Sequence, residues 1–290
     1  MRNICVQVRA PWGPMLVSLN DHHRIGDWIY GVGYDLIENG DFSPDTRRNV
    51  QILLSGCRQA GGDGVVVVDA GANIGALAVP WGLHMMGWGT VHAFEPQPFV
   101  YRMLVTNVML NNAHNVHTVD EALGMTSGTT LLHSMDPRKP GSLGSVSIRD
   151  ELNDTGQSVE NRVPVTITTI DAMELDRLDL LKIDVEGMEL DVLEGARDTI
   201  MRCRPIIFAE VMKVGALERM RRLNVKSGSP AELFDAGIGL EDAISTGQEL
   251  ISQRLAGFGY DKIRSFGVNC LAYRSDSNAM NRVRVEEIKT

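Results

Sequence analysis

The sequence predicts an α/β fold, in which a mostly parallel, doubly wound sheet is covered by helices. From Val65 onward, short apolar runs alternate with stretches of helical periodicity, as expected when strands and helices follow each other in turn. Runs such as VVVV and IIFA are apolar at every position, which is typical of strands buried on both faces of a sheet. The first run ends in a small-residue turn, DAGANIG, where sheets of this kind bind ligands.

Composition narrows the class of protein. The chain has 290 residues, with 28 basic against 37 acidic side chains and a formal net charge of -9. No Lys/Arg cluster offsets this charge, so nucleic acid is not an expected partner. The four cysteines lack CxxC spacing, which indicates neither a zinc site nor a disulfide framework. No apolar run reaches the ~18 residues of a membrane span, and we expect a cytoplasmic protein without a membrane partner.

Residues 1–60 form an N-terminal part that we expect to belong to the same structural unit. Two short alternating runs, ICVQV and MLVSL, flank the turn-like APWGP and predict a hairpin. Ser43 is a candidate N-cap with Pro44 at the first helical position, and the following apolar stripe predicts a helix to about Arg58. The GGDG run at 61–64 ends this helix.

The strands and helices then alternate through the first half of the remaining chain. VVVVDAG is the first strand, with a helix from about Ile74, and TVHAFEP is the second strand, with a helix over Pro98 to Leu110. VHTV begins a third strand that we expect to end at Asp120, Glu121 and Ala122. Residues 124–160, rich in Gly, Ser, Pro and Asn, predict a loop or hairpin excursion.

The alternation resumes after this excursion. LDLLKIDVEG predicts the fourth strand, followed by a helix from about Glu189 to Met201, and RPIIFAEV predicts the fifth strand. A helical, polar segment at 213–256 is a candidate lid or homodimer contact. YDKIRSF and NCLAYRS then predict a closing antiparallel pair.

The turn after the first strand carries the predicted cofactor site. Asp69 precedes Gly71, Ala72, Asn73 and Gly75, and we expect the two glycines to let the backbone approach a ligand closely. The spacing is D-x-G-x-N-x-G and not the GxGxxG of dinucleotide sites. Because an acid at this point disfavours a pyrophosphate, the turn favours a cofactor that carries an ammonium group and a sulfonium.

Two further strand ends extend this site. Glu95, at the tip of the second strand, is placed to accept hydrogen bonds from ribose hydroxyls. Taken alone, Glu95 is more typical of an exposed glutamate that caps the next helix, but together with Asp69 and the glycines the ribose contact is favoured. Glu121 and Ala122, at the end of the third strand, are candidates for contact with an adenine edge.

These motifs resemble those of the FkbM-type S-adenosylmethionine-dependent methyltransferases. The resemblance rests on VVVVDAGANIG, VHAFEPQP, TNVMLNN, ALG, LDLLKIDVEGMELDVLEGA and RPIIFAEV, in this order over roughly residues 65–211. It implies a Rossmann-like class I fold whose seven-stranded sheet ends in an antiparallel strand. It also implies S-adenosyl-L-methionine as cofactor and O-methylation of a hydroxyl on a sugar, a polyketide or another small metabolite. Asp69, Gly71, Asn73 and Glu95 match the cofactor-binding positions of the family.

Three acids at the carboxyl ends of the fourth and fifth strands are the candidate catalytic residues. Asp184 and Glu186 are alternative general bases for the acceptor hydroxyl, and Glu210 is a candidate to orient it. For Glu189 we expect only a favourable interaction with the helix dipole, off the buried stripe of its helix. Lys182 is a candidate partner for Asp184 or, equally, a structural residue.

The sequence is also compatible with other chemistries. Asp184, Glu186 and Glu210 together have ligand types that suit Mg²⁺, although no spacing requires a metal and none is predicted. His133, in the excursion, is a further candidate base. The rival functions are a nicotinamide-dependent oxidoreductase and a non-catalytic nucleotide-binding module on the same fold.

Overall fold

The computed structural model describes residues 4–25, 28–149, 157, 161–224 and 239–283. The strands in these ranges are β1 (Cys5–Ala10), β2 (Gly13–Ser18), β3 (His23–Ile25), β4 (Trp28–Tyr30), β5 (Val65–Ala70), β6 (Gly89–Phe94), β7 (Val116–Val119), β8 (Glu121–Leu123), β9 (Gly128–His133), β10 (Arg162–Thr168), β11 (Leu180–Ile183), β12 (Ile206–Glu210), β13 (Lys262–Phe266) and β14 (Asn269–Tyr273). The helices are α1 (Val32–Glu38), α2 (Pro44–Gly61), α3 (Ala78–His84), α4 (Pro98–Leu110), α5 (Glu189–Glu194), α6 (Arg197–Cys203), α7 (Met212–Leu223), α8 (Leu240–Gly257) and α9 (Asn278–Arg282).

Seven strands of the described ranges form the central sheet, in the order β13-β14-β12-β11-β5-β6-β7. The pairs from β7 to β12 are parallel, whereas β14 runs antiparallel to both β12 and β13. Successive residues of β5 face opposite sides, with Val67 in one apolar cluster and Val68 in the other. This arrangement confirms the predicted Rossmann-like α/β fold and its antiparallel last strand.

Helices cover both faces of this sheet. One cluster joins α2, α3 and α4 to the sheet, and the other joins α5, α6 and α8 to the opposite face. The α4 bounds, Pro98–Leu110, agree with the sequence prediction. No helix in the described part of the chain has both the length and the apolar character needed to cross a bilayer.

Two helix predictions were wrong in their bounds. The helix expected from Ile74 begins at Ala78, because the backbone has positive φ at Gly71, Asn73 and Gly75 and forms turns there. The helix expected from Glu189 to Met201 is divided into α5 and α6. At the break, Gly195 packs so tightly that a Cβ atom would lie 2.0 Å from the carbonyl oxygen of Gly124.

The N-terminal hairpin prediction is confirmed, since β1 and β2 pair antiparallel. The N-cap position Ser43 is also confirmed, but its side chain forms no capping hydrogen bond, because its own backbone lies in the left-handed region at φ 42. Helix α2 continues to Gly61 and ends at Gly62, whose φ of 75 suits glycine.

The third strand ends earlier than predicted. Strand β7 stops at Val119, and Glu121 and Ala122 belong to β8, which leaves the central sheet. Strand β8 pairs parallel with β10, and β10 pairs antiparallel with β9 in a separate three-stranded sheet. The described part of the 124–160 excursion is therefore built on a hairpin-like pair, whereas 150–156 and 158–160 lie outside the described residues.

The closing elements follow the sequence prediction. Strands β13 and β14 form the expected antiparallel pair. The predicted helical segment at 213–256 contains most of α7 and α8, and its residues 225–238 lie outside the described ranges. The four cysteines are all described and form no disulfide.

Asp21 connects two segments that are distant in sequence. It is 2% exposed, and its Oδ2 accepts a hydrogen bond of 2.7 Å from the Gly33 N–H at the start of α1. Its Oδ1 accepts one of 2.9 Å from the Leu143 N–H. Burial raises the pKa of this carboxyl, and the two N–H groups oppose that effect. Asp21 therefore holds α1 against the loop around Leu143.

Replacing Asp21 by alanine should lower the free energy of unfolding by about 2–4 kcal/mol, because two N–H groups would lose a buried acceptor. Urea unfolding followed by circular dichroism measures this loss. Asp45→Ala is the matched control, since its side chain is 64% exposed and its loss should stay near ~0.5 kcal/mol. Equal unfolding midpoints for the two variants would contradict the proposed role of Asp21.

Candidate functional site

A cavity of about 280 Å³ lies at the carboxyl ends of β5, β6 and β11. This volume is close to the lower end of the ~300–1,000 Å³ typical of small-molecule sites. Among the described residues, six acidic side chains line it against one basic side chain, and the acidic ones are Asp35, Asp69, Glu95, Glu121, Asp184 and Glu186. The basic side chain is Lys182. The described lining of the cavity is therefore predominantly acidic.

Lys182 connects the two halves of this cavity. It lies directly opposite Asp69 in the parallel pair of β11 and β5, and its Nζ is 3.0 Å from Asp69 Oδ1. The same ammonium donates a hydrogen bond of 2.7 Å to the Gly71 carbonyl and lies 3.6 Å from Asp184 Oδ2. Burial opposes its charge, yet Asp69 and Asp184 hold its pKa above the ordinary value. The predicted contact with Asp184 exists, but Asp69 is the closer partner.

Asp69 has unused hydrogen-bonding capacity. It is fully buried, and its Oδ2 has no hydrogen-bond partner among the described residues. Burial raises the pKa of this carboxyl, while Lys182 acts in the opposite direction. Because a buried polar atom without a partner is costly, Asp69 is suited to a donor group of a ligand.

In the turn after β5, Gly71 and Gly75 each have a different neighbour that leaves no room for a side chain. Gly71 lines the cavity at φ 78, and a Cβ atom there would lie 1.9 Å from the Asp184 carbonyl oxygen. Gly75 is not among the lining residues, and a Cβ atom there would lie 2.8 Å from Leu104 Cδ1. The contact with helix α4 therefore explains the small size of Gly75, and its role in the approach of a ligand stays a prediction. Ala72 and Asn73 do line the cavity.

Glu95 is buried at 4% exposure, so the alternative of an exposed capping glutamate is excluded. Its Oε2 accepts a hydrogen bond of 3.1 Å from the Asn73 N–H, and its Oε1 accepts one of 2.9 Å from the Gln97 N–H. Burial raises the pKa of this carboxyl to about 7. Glu95 thus holds the glycine turn to the start of α4 while it lines the cavity.

Glu121 and Ala122 also line the cavity, although they do so from β8 and not from the end of the third central strand. The structure therefore brings together all predicted cofactor residues except Gly75.

The three candidate catalytic acids lie in different surroundings. Asp184 lines the cavity with a side chain that is 43% exposed. Glu186 also lines it, but its Oε2 pairs with Lys213 Nζ at 2.9 Å. Burial raises the pKa of Glu186, and so does Asp184, while Lys213 lowers it. Asp184 is the more accessible of the two.

Glu210 ends β12 as predicted, but it is not among the cavity-lining residues. Burial raises its pKa well above the ordinary value, and the carboxylates of Asp184 and Glu186 add to this effect. The predicted contact of Glu210 with an acceptor hydroxyl therefore receives no support from the cavity lining. Lys213, which the sequence prediction missed, follows Glu210 by three positions, and its place just after a buried strand is the signal that was available.

Glu189 was wrongly predicted to lie off the buried stripe of its helix. It is fully buried, and its Oε1 accepts hydrogen bonds of 3.1 Å from both the Val185 and the Gly187 N–H groups. Burial raises its pKa to about 7. Glu189 begins α5 as expected, but it also shapes the loop that carries Glu186.

Two other candidates receive no support from the geometry. His133 is not among the lining residues, whereas its neighbour Leu132 is, because alternate residues of β9 face opposite sides. Among the described residues, no group of three or more His, Cys, Asp or Glu side chains is arranged to hold a metal ion.

The loop at 142–149 forms one wall of the cavity and is held by bonds to several elements. Gln97 Nε2 donates to the Leu143 carbonyl at 2.8 Å, and Ser147 Oγ donates to the Glu186 carbonyl at 2.6 Å. Arg149 Nε donates to the Gly187 carbonyl at 3.2 Å. These contacts attach the 142–149 loop to Gln97 at the start of α4 and to the loop that carries Glu186 and Gly187.

Comparisons with known proteins show which family this chain resembles. The model of the methyltransferase FkbM domain family matches residues 69–227. The 31-O-demethyl-FK506 methyltransferase FkbM of Streptomyces tacrolimicus is 34% identical over 179 residues, which cover 53% of this chain and 68% of that protein. Methyltransferase 1 of Beauveria bassiana (strain ARSEF 2860) is 29% identical over 153 residues, which cover 47% of this chain and 60% of that protein.

The similarity to this second protein and to methyltransferase sdnD of Sordaria araneosa spans 60% and 59% of their lengths. Among solved structures, methyltransferase FkbM from Methylobacillus flagellatus KT has a TM-score of 0.44 and 17% identity, covering 73% of this chain and 44% of that chain.

Gly71→Ala should destabilise the fold more than Gly87→Ala does. Both glycines have positive φ, but a Cβ atom at Gly87 would meet nothing within 4 Å. The difference therefore isolates the contact with the Asp184 carbonyl, for which we expect an extra loss of about 1–3 kcal/mol. Urea unfolding of the two variants measures it, and equal losses would show that the two loops are not in contact.

Proposed function

The chain belongs to the FkbM methyltransferase family, and we propose that it transfers a methyl group from S-adenosyl-L-methionine to a hydroxyl of a sugar or secondary metabolite. The observation that supports this most directly is the acid-lined cavity at the carboxyl ends of β5, β6 and β11. The name of the Streptomyces relative refers to 31-O-demethyl-FK506, which supports an oxygen atom as the acceptor here. We further propose a cytoplasmic enzyme, since its cysteines form no disulfide.

The residues present fit this cofactor. Its ammonium and sulfonium groups are cationic, and they suit a cavity in which Asp69 Oδ2 has no partner among the described residues. Each oxygen of Glu95 accepts one backbone hydrogen bond, and a carboxylate oxygen has a second acceptor position for a ribose hydroxyl. Glu121 and Ala122 would lie beside the adenine. When bound, the cofactor supplies a methyl group activated by the positive sulfur.

The chain's own contribution is to hold the acceptor in line and to take its proton. Alignment of reacting atoms provides a large part of the acceleration in such displacements. Asp184 is the proposed general base, because its side chain is 43% exposed in the cavity, while Glu186 is paired with Lys213. Lys182, 3.6 Å from Asp184, restricts where this carboxylate points. A positioned base contributes about 10²–10⁴-fold.

Family membership and the D-x-G-x-N-x-G turn argue against the nicotinamide alternative, since a pyrophosphate would meet Asp69 at the turn. A non-catalytic module differs from the proposed enzyme only in turnover, and the transfer of labelled methyl from S-adenosylmethionine measures turnover.

Calorimetry should detect binding of S-adenosylmethionine and S-adenosylhomocysteine but not of NAD. Hydroxyl donors favour the ionised form of Glu95, whose pKa of about 7 is raised by burial. Binding therefore releases a proton below this pKa, and affinity should rise from about pH 6 to about pH 8 and then level off.

Glu95→Gln should bind S-adenosylhomocysteine about tenfold more weakly and lose most of this pH dependence. Glu249→Gln, an exposed position on α8, is the control and should behave like the unmodified protein. Tight NAD binding would refute the methyltransferase proposal, and an unchanged pH profile in Glu95→Gln would remove Glu95 from the ribose site.

Asp184→Asn should reduce kcat by about 10²–10⁴-fold, while the Kd for S-adenosylhomocysteine stays within about twofold. Transfer of labelled methyl from S-adenosylmethionine to a panel of neutral sugars and polyketide alcohols measures turnover. Asp45→Asn, on the exposed start of α2, is the control. Full turnover by Asp184→Asn would assign the proton transfer to another group.

A further inference from the structure

One wall of the cavity comes from a part of the chain that precedes the family-matched residues 69–227. Tyr30, Val32, Asp35 and Phe42 all line the cavity from β4, α1 and the segment after α1. The buried bonds of Asp21 to the Gly33 and Leu143 N–H groups hold the start of α1 in place. This wall is therefore a fixed surface that the matched region does not itself provide.

The residues proposed to hold the cofactor all lie within the family-matched range, which leaves the wall from β4 and α1 to the acceptor. Tyr30, from this wall, lines the same cavity as Asp184 and Glu186. Burial acts against the charge of Lys213, but Glu186, Glu210 and Tyr30 raise its pKa above the ordinary value. Lys213 pairs with Glu186, which follows the proposed base Asp184 in the same loop. The start of α1 thus shares one cavity with the acids proposed to act on the acceptor.

Asp35 presents a carboxylate to this side of the cavity. Its side chain is half-buried, and Asn39 Nδ2 approaches it only at 3.4 Å, a long hydrogen bond. Burial raises the pKa of this carboxyl. Asp35 pairs with no cation among the described residues that line the cavity. Lys182 is the basic residue of that described lining, and Asp69, Asp184 and the Gly71 carbonyl already engage its ammonium group.

Much of the described cavity lining is apolar. Uncharged, apolar side chains line it from α1, the segment after α1, β9, the 142–149 loop and the loop before α5, and they are Val32, Phe42, Leu132, Val146, Ile148 and Met188. Such a surface suits an aliphatic ring. An anionic substituent on that ring would meet carboxylates and no available cation.

We propose that Asp35 is a specificity-determining residue that selects neutral or amino-bearing hydroxyl compounds and rejects phosphorylated and carboxylated ones. This inference rests on the proposed function, because it assigns the chemistry of the acceptor for the same site. A carboxylate held in this wall attracts an ammonium or hydroxyl donor and repels an anion of similar shape.

Three matched probes test this selection: aminocyclohexanol, cyclohexanediol and hydroxycyclohexanecarboxylate. In each probe the two substituents are on opposite carbons of the cyclohexane ring and trans to each other. S-Adenosylhomocysteine binding is measured first, and probe affinities are then measured by calorimetry on the saturated protein near neutral pH. The amine should bind most tightly and the carboxylate at least about tenfold more weakly than the amine. Asp35→Asn should reduce the ratio of the two affinities at least about fivefold.

Glu38→Gln is the matched control, because Glu38 is an exposed acid on the same helix that does not line this cavity. It should leave the ratio of amine to carboxylate affinity unchanged. Failure of S-adenosylhomocysteine to bind refutes the proposed function itself. With that ligand bound, the inference is overturned if the carboxylate binds as well as the amine, if no probe binds, or if Asp35→Asn leaves the ratio unchanged. Weaker S-adenosylhomocysteine binding by Asp35→Asn would also overturn it, by assigning Asp35 to the cofactor.

Discussion

The ion pair between Lys182 and Asp69 is the interaction on which the rest of the site depends. A carboxylate in the middle of a parallel sheet is strongly disfavoured unless an opposite charge accompanies it. Lys182, directly opposite on the neighbouring strand, provides that charge 3.0 Å away. Such a pair contributes little net stability, but removing one member costs about 3–5 kcal/mol. Because the same ammonium also binds the Gly71 carbonyl, the pair determines where the cofactor turn lies relative to Asp184.

Around this pair, the site combines residues from inside and from outside the family-matched range. The family-matched residues contribute the turn, Glu95 and the Glu186 loop, whereas α1 lies outside the matched range. Single buried polar groups make the connections: Asp21 joins α1 to the Leu143 loop, and Gln97 joins that loop to the start of α4. The wall from α1 can therefore vary without changes to the turn after β5.

How much the sequence predicts depends on how local each signal is. The buried strands, the turn after Asp69 and the bounds of α4 were predicted, because apolar runs and glycine spacing act within a few residues. The place of Glu121 in a separate sheet was not, since its partner strand β10 is far along the chain. The pairing of Glu186 with Lys213 was missed for the same reason. The hydrogen-bond donors of Glu189, Val185 and Gly187, are close in sequence, but they reach its carboxylate through a turn with positive φ at Glu186 and Gly187 that helical periodicity does not predict.

The hydrogen bond from Lys182 to the Gly71 carbonyl joins residues that are 111 positions apart. Closing so long a segment has an entropic cost before any contact compensates for it, and topologies with many such contacts fold slowly. On the ribosome, the glycine turn emerges long before β11, the strand that carries Lys182. The cavity is therefore assembled late in synthesis, and until then Asp69 has to remain solvated outside a finished sheet.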